Sequence, residues 1–354
     1  MRAHRLVSLV IATALLLGAC AGASATSTAG NTSADDLVSI GAGLQGPSGT
    51  TASAYATGLT HVAALAFDDS NRLWVATAGY DDDGTDAVYV VGASGATPRK
   101  VIASQHTPLG LLWYEGALYV ASKRRVDVYR GFDGTRFASH STILTLPSGV
   151  GEVNELVLAP NGRLLLGVSA ACDHCTVKVA DSAAILSFRP DGSDLRVYAS
   201  RIRAAVGLTF FPGTSDLFVT MNQRDDLGSN TPGDWLSVVK DGDDWQFPSY
   251  YGQTSATYES EPRPVAELDE HAAASGVAIV TGELGASVGT AALVAEWADG
   301  KVLRVALRKN GSTYAGTVHA FVTGLKRPVP VIRHGSTVFV GDWATGKVYA
   351  ISRS

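Results

Sequence analysis

Two cysteines stand three residues apart in Cys172-Asp173-His174-Cys175. Such a pair can close a disulfide, hold a metal or carry thiol redox chemistry. A metal site needs two further soft ligands, and only His174 is at hand. Redox use in the thioredoxin manner calls for a βαβ setting, which the flanking residues do not supply. In an exported chain the pair reads as a disulfide that staples its loop. A second group is the acidic run Asp81-Asp82-Asp83-Gly84-Thr85-Asp86. Carboxylates this close suit calcium, but the run lacks the full EF-hand spacing, and a solvated loop is the better account. His61 precedes an apolar strand and either faces a site or is hydrogen-bonded within the frame.

The elements that must position these groups repeat. A short apolar run, a turn and an aliphatic strand follow one another in Val62–Phe67, Asp68-Asp69-Ser70-Asn71 and Arg72–Ala76. The phrase returns from Leu109, Asn154, Val206 and Val329, and more weakly from Ser275. Turn tripeptides such as Phe132-Asp133-Gly134 and Pro190-Asp191-Gly192 close further hairpins, so the unit is four strands. One hairpin cannot bury its apolar face, whereas a ring of stacked sheets can. The pattern predicts an all-β chain: a six-bladed β-propeller of four-stranded antiparallel blades, with seven blades as the fallback. The last strand, Lys347–Ile351, leaves an open edge. Pairing with the chain near Ser53-Ala54-Tyr55-Ala56 is expected to close the ring.

The chain has 354 residues, 46% of them hydrophobic and 17% charged, which supports a large core and excludes a disordered chain. The formal charge is −5 with both signs dispersed, so nucleic acid is not an expected partner. Arg2 and Arg5 precede an apolar run from Leu6 to Leu17 that is too short to span a bilayer. The run ends in Leu17-Gly18-Ala19-Cys20, which resembles a bacterial lipoprotein cleavage box. That resemblance implies a signal peptide over residues 1–19 and lipid on Cys20, anchoring the protein to the cell membrane outside the cytoplasm. An ordinary secretory cleavage site is the alternative. Residues 20–50 are rich in Ala, Ser, Thr and Gly and read as a flexible tether, with the propeller over residues 51–354.

Between residues 152 and 252 the chain carries an ordered set of motifs: Asn154-Glu155-Leu156, Cys172–Cys175, Ala184–Gly192, Arg203, Gly207-Leu208, Asn222–Gly228, Pro232–Leu236 and Trp245–Gly252. His271, Gly276, Gly300-Lys301-Val302 and Lys326-Arg327-Pro328 extend it. In this order the chain resembles the glucose/sorbosone dehydrogenase family over most of residues 55–354. The resemblance implies a quinoprotein dehydrogenase that binds pyrroloquinoline quinone (PQQ) on the propeller axis, often beside calcium. Its substrate would be a sugar hydroxyl or aldehyde. Arg203 then matches the arginine near the cofactor, Lys301 and Arg327 the carboxylate-binding cations, and Asp342 an acidic position in the last blade. Gln223, Arg224, Asp225 and Asp226 match the loop that helps hold calcium, where oxygen ligands are required. The electron acceptor is not readable from any of these motifs.

The chain also departs from the family. Where the family has its catalytic histidine, this sequence reads Ser148-Gly149-Val150-Gly151-Glu152-Val153-Asn154, which leaves Glu152 as the candidate base. Ala204 stands for an asparagine, and Asp234-Trp235-Leu236-Ser237 for an Asp-Glu-Leu-Asn tetrad. The alternative reading is therefore a non-catalytic surface propeller that binds a sugar, a cell-wall fragment or a protein. A metal-dependent lactonase on the same ring is a third, resting on fold analogy alone. Trp235, Trp245, Tyr250 and Tyr251 either line a sugar-stacking face or pack the blades.

Overall fold

The computed structural model describes residues 37–252 and 262–354. Cys20, the expected signal peptide and the first part of the expected tether lie outside the described residues. Six four-stranded antiparallel sheets carry the fold, and the only helical element among the described residues is a single 3₁₀ turn at Gly228–Asn230.

In the first five blades the first strand in sequence is innermost, and in the last blade the first of its three C-terminal strands is. These six strands are Val62–Phe67, Gly110–Tyr114, Val153–Leu158, Ala205–Phe210, Ala274–Thr281 and Pro328–His334. Each touches the inner strands of the blades before and after it, and the sixth touches the first. The expected ring is therefore closed, with six blades. The last blade is completed by the N-terminal strand Thr50–Ala56, which pairs with Lys347–Arg353 in the register Ala56 to Val348 and Ala54 to Tyr349.

Local chemistry fixes the hairpins. In the turn after the first inner strand, Asp68 accepts hydrogen bonds from Ser70 N and Arg72 N, both at 2.9 Å, and from the Trp74 indole at 2.9 Å. One carboxylate thereby closes the turn and satisfies a buried indole. The aliphatic runs then pack between blades, not within one. Trp74 and Val88 of the first blade meet Leu118 and Val120 of the second; Phe218 and Leu236 of the fourth meet Ile279 and Leu303 of the fifth. Each such Leu, Ile or Phe contributes about 1.5–3 kcal/mol of burial, so no blade is stable on its own face.

The ordered fold begins earlier than the tether expected over residues 20–50. Val38–Gly41 and Leu44–Gly46 form a hairpin whose Ile40 and Leu44 are buried against Leu284, Phe321 and Leu325 of the fifth-blade region. Two apolar side chains in an otherwise small and polar stretch are enough to dock it.

Candidate functional site

Three cavities lie in series along the axis and share walls. The upper one, of about 540 Å³, opens where the inner strands begin. Its wall residues Tyr80, Leu109, Asn154, Val206, Ser275 and Val329 also border a waist cavity of about 50 Å³. Leu65, Leu111 and Glu155 link the waist to a lower cavity of about 320 Å³ at the opposite face.

The polar groups of the upper cavity are held by one network. The Cys172–Cys175 disulfide is formed and closes the loop that presents Asp173. Arg203 Nη2 pairs with Asp173 Oδ1, and its Nε donates to the Asp173 carbonyl at 3.0 Å. The same carboxylate accepts from Asp225 N at 3.1 Å, and Asp225 Oδ1 lies 2.9 Å from His271 Nδ1. Behind this network, Asn154 donates to Ser169 Oγ and to the Ala205 carbonyl, each at 2.9 Å. Asp234 is buried in the cavity wall. It accepts from Gln223 N and Ala274 N at 2.8 Å and from Asn222 Nδ2 at 3.2 Å. Burial nevertheless outweighs these bonds and pushes its carboxyl up to about 7.

Glu152 is exposed at the cavity edge beside the half-exposed Tyr80, whose phenol is raised by partial burial in the cavity mouth and by the Glu152 and Asp86 carboxylates. A side chain one residue earlier has no room, because a Cβ on Gly151 would collide with the Ala170 carbonyl.

The remaining sequence candidates do not converge with these. Lys301 does not line the cavity. Its ammonium is caged by Asp269, by Asp299 at 3.1 Å and by Glu296 at 3.2 Å. Burial alone would lower the Lys301 pKa; the Asp269 hydrogen bond and the Glu296 charge outweigh it and hold it above the usual lysine value. Burial, with the nearby Asp269 charge, pushes Glu296 up to about 8. Arg327 lies over the Trp297 ring, 4.2 Å from its centroid, and donates to the Ala298 carbonyl at 3.0 Å. Trp297 itself borders the cavity. Asp342 is fully buried, and its carboxylate accepts the amides of Lys326, Arg327, Ala344 and Thr345. It shapes the loop that carries Arg327 and does not face the cavity.

In the 223–226 loop, Gln223 is buried, Arg224 forms an ion pair with Asp226 at 2.6 Å, and only Asp225 reaches the cavity. Among the described residues the one group of three close metal-type ligands is Asp269, Glu296 and Asp299, and the Lys301 amine already contacts all three. The acidic run at 81–86 is used internally: Asp82 meets Lys123 and His106, Asp83 caps Thr85, and Asp86 accepts from Gly79 N and Thr107 N. His61 stacks on Trp343 with centroids 4.2 Å apart. Trp235, Trp245 and Tyr250 are blade core, while Tyr251 lies beneath the Arg224 guanidinium.

PQQ carries three carboxylates, and its cradle must offer uncommitted cations. Arg203 is the described cation in the cavity, and Asp173 already neutralises it. A cofactor carboxylate at Lys301 would have to displace the acids that already surround its ammonium. The residues as arranged do not form that cradle, and no step through the quinone is derived for them.

Asp173, Asn154, Asn222 and Trp297 were not singled out from sequence as site residues. Asp173 carried a signal, since it lies inside the cysteine loop; Trp297 carried none.

No family model matches the chain. A protein of Borreliella burgdorferi described only as uncharacterized is 21% identical over 178 residues, 45% of this chain and 47% of that protein, so the chain spans about half of it. Among solved structures, a Trichoderma reesei carbohydrate-active enzyme of family AA12 superposes with a TM-score of 0.73 at 16% identity, covering 90% of this chain and all of that one. The PQQ-bound aldose sugar dehydrogenase of Streptomyces coelicolor gives 0.65 at 18% identity, over 87% of this chain and 99% of that one. A putative oxidoreductase (glucose dehydrogenase) of Thermus thermophilus gives 0.66 at 17%, over 86% and 100%. At these identities the likeness establishes a shared fold: the chain is a six-bladed β-propeller.

Proposed function

We propose that the upper cavity binds a neutral, polyhydroxylated small molecule of the sugar class and does not oxidise it. One observation carries this reading: two of the cations matched to cofactor carboxylates, Arg203 and Lys301, are already paired with acids within the protein, and the third, Arg327, is stacked on Trp297. What remains at the cavity surface is a mixture of donors and acceptors, Asn154, Ser169, Asn222, Asp225 and His271, beside the Trp297 ring. That mixture, in a cavity of ligand size, suits hydroxyl groups on an apolar ring. The Streptomyces coelicolor relative in fold is an aldose sugar dehydrogenase, which supports the same ligand class. The reading includes export and lipid attachment at Cys20, and the disulfide in the cavity wall fits an oxidising compartment.

A second reading, PQQ- and calcium-dependent oxidation of an aldose or aldehyde, is favoured by Glu152, Arg203 and His271 bordering one cavity. It requires Lys301 to exchange its carboxylate cage for the cofactor. One experiment separates the two. Aldoses are titrated calorimetrically into the cofactor-free protein, and dye reduction is followed in parallel after loading with PQQ and calcium. Saturable binding without turnover supports the first reading. Turnover above a no-protein control establishes the second, and silence in both assays across an aldose panel removes the first.

A further inference from the structure

The axial channel holds one ionisable group that the upper cavity does not use. Glu155 occupies the place on the third inner strand where the fourth and fifth carry Gly207 and Gly276. Those glycines are required by close approach: a Cβ on Gly276 would lie 2.5 Å from Val331 N, and one on Gly207 would strike the Ser275 carbonyl. Glu155 instead crosses the seam between blades, and its Oε2 accepts from Leu208 N at 2.8 Å. It borders both the waist and the lower cavity. Leu65 and Leu111 border the same two cavities, and burial there pushes the Glu155 carboxyl up to about 8.

No basic group among the described residues neutralises it. Tyr80 stands at the upper end of the waist. Arg333 and His334 border the lower mouth. Arg333 pairs with Glu283 at 3.2 Å and donates to the Gly335 carbonyl at 3.0 Å. The His334 ring stacks on Phe67 and lies 2.8 Å from Asn71 Oδ1 through Nε2, and burial lowers its pKa.

We propose that the lower cavity is a second binding site, which takes a primary alkylammonium ion with its ammonium against Glu155 and its alkyl body beside Leu65 and Leu111. A carboxylate enclosed in apolar surroundings is stabilised most by a cation that brings its own apolar surface. A bare divalent ion would need several more oxygen ligands than one carboxyl offers.

Trp113 borders the lower cavity, so its fluorescence reports occupancy. The full chain is titrated at pH 8.5 with n-hexylammonium chloride and with n-hexanol as the uncharged molecule of equal length. The expected result is saturable amine binding at least tenfold tighter than that of the alcohol. Glu155→Gln keeps an acceptor for Leu208 N and is expected to lose the difference. Thr209→Trp, which places a large side chain in the lower cavity, is expected to abolish amine binding while circular dichroism shows a folded protein. Equal binding of amine and alcohol overturns the proposal. So does an unchanged preference in Glu155→Gln, or full amine binding by Thr209→Trp, which would assign the amine to the acids of the upper cavity. Failure here leaves the sugar reading of the upper cavity untouched, because that is read by calorimetry with aldoses.

Discussion

Arg203 and Asp173 meet at the wall of the upper cavity, the guanidinium Nη2 on the carboxylate and Nε on the Asp173 carbonyl at 3.0 Å. Asp173 projects from the disulfide loop after the second strand of the third blade, and Arg203 shortly precedes the first strand of the fourth. The pair joins two blades where the cavity needs a fixed donor, and it orders Asp225 and His271 behind it.

Opening that loop is expected to loosen the cavity more than the fold. The disulfide closes a short loop, for which chain entropy gives about 2 kcal/mol. Replacing Cys172 and Cys175 by serine should lower stability by roughly that amount in urea unfolding. It should weaken ligand binding to the upper cavity by a larger factor, because Asp173 loses its fixed position. Unchanged binding in the double variant would mean that the Arg203 pair holds the wall without the disulfide.

The buried Asp234 sets a pH dependence. Its folded-state pKa, about 7, lies above the ordinary aspartate value, so the native state holds its proton more tightly than the unfolded chain. The stabilisation is fully present below the unfolded pKa near 4 and is lost as pH rises through about 7. Urea midpoints measured from pH 4 to 8 should therefore fall with pH, and Asp234→Asn should flatten the part of that slope below pH 7. The variant also loses one acceptor for a backbone amide, so a lower midpoint at every pH is expected with it. An unaltered slope would place the pH dependence on Glu155 and Glu296 instead.

Lys301 contacts three acids, and its removal should be costly. Lys301→Ala leaves Asp269, Glu296 and Asp299 with ligand oxygens within 4.8 Å of one another and no cation. Only Glu296 of the cluster is buried, so the cost falls between about 0–1 kcal/mol, as for an exposed pair, and about 3–5 kcal/mol, as for a buried one. The same three oxygens then form a site that a divalent cation can fill. Thermal melting of the variant should recover on addition of millimolar calcium, while the parent protein stays indifferent. A parent that responds equally would show that the lysine does not close this site.

The ring itself was legible in the sequence. The repeated phrase from Val62, Leu109, Asn154, Val206, Ser275 and Val329 marks the six inner strands, and the open edge at Lys347–Ile351 called for Ser53–Ala56. Strand periodicity and turn chemistry are local, and a blade that cannot bury its own face must find neighbours, so local signals sufficed. The hairpin at 38–46 was missed because only Ile40 and Leu44 anchor it, too few to form a pattern.

The site was not local in that sense. The sequence placed Arg203, Asp225, Glu152 and His271 in loops at the ends of strands, and it supplied Lys301 and Arg327 as further cations. Only the tertiary structure decided which charges meet: Asp173 took Arg203, three acids took Lys301, and Trp297 took Arg327. It also decided that Glu155 stands unneutralised on the axis. A charge acts through distance and through what its neighbours have already satisfied, and neither quantity is written in the order of residues along one strand.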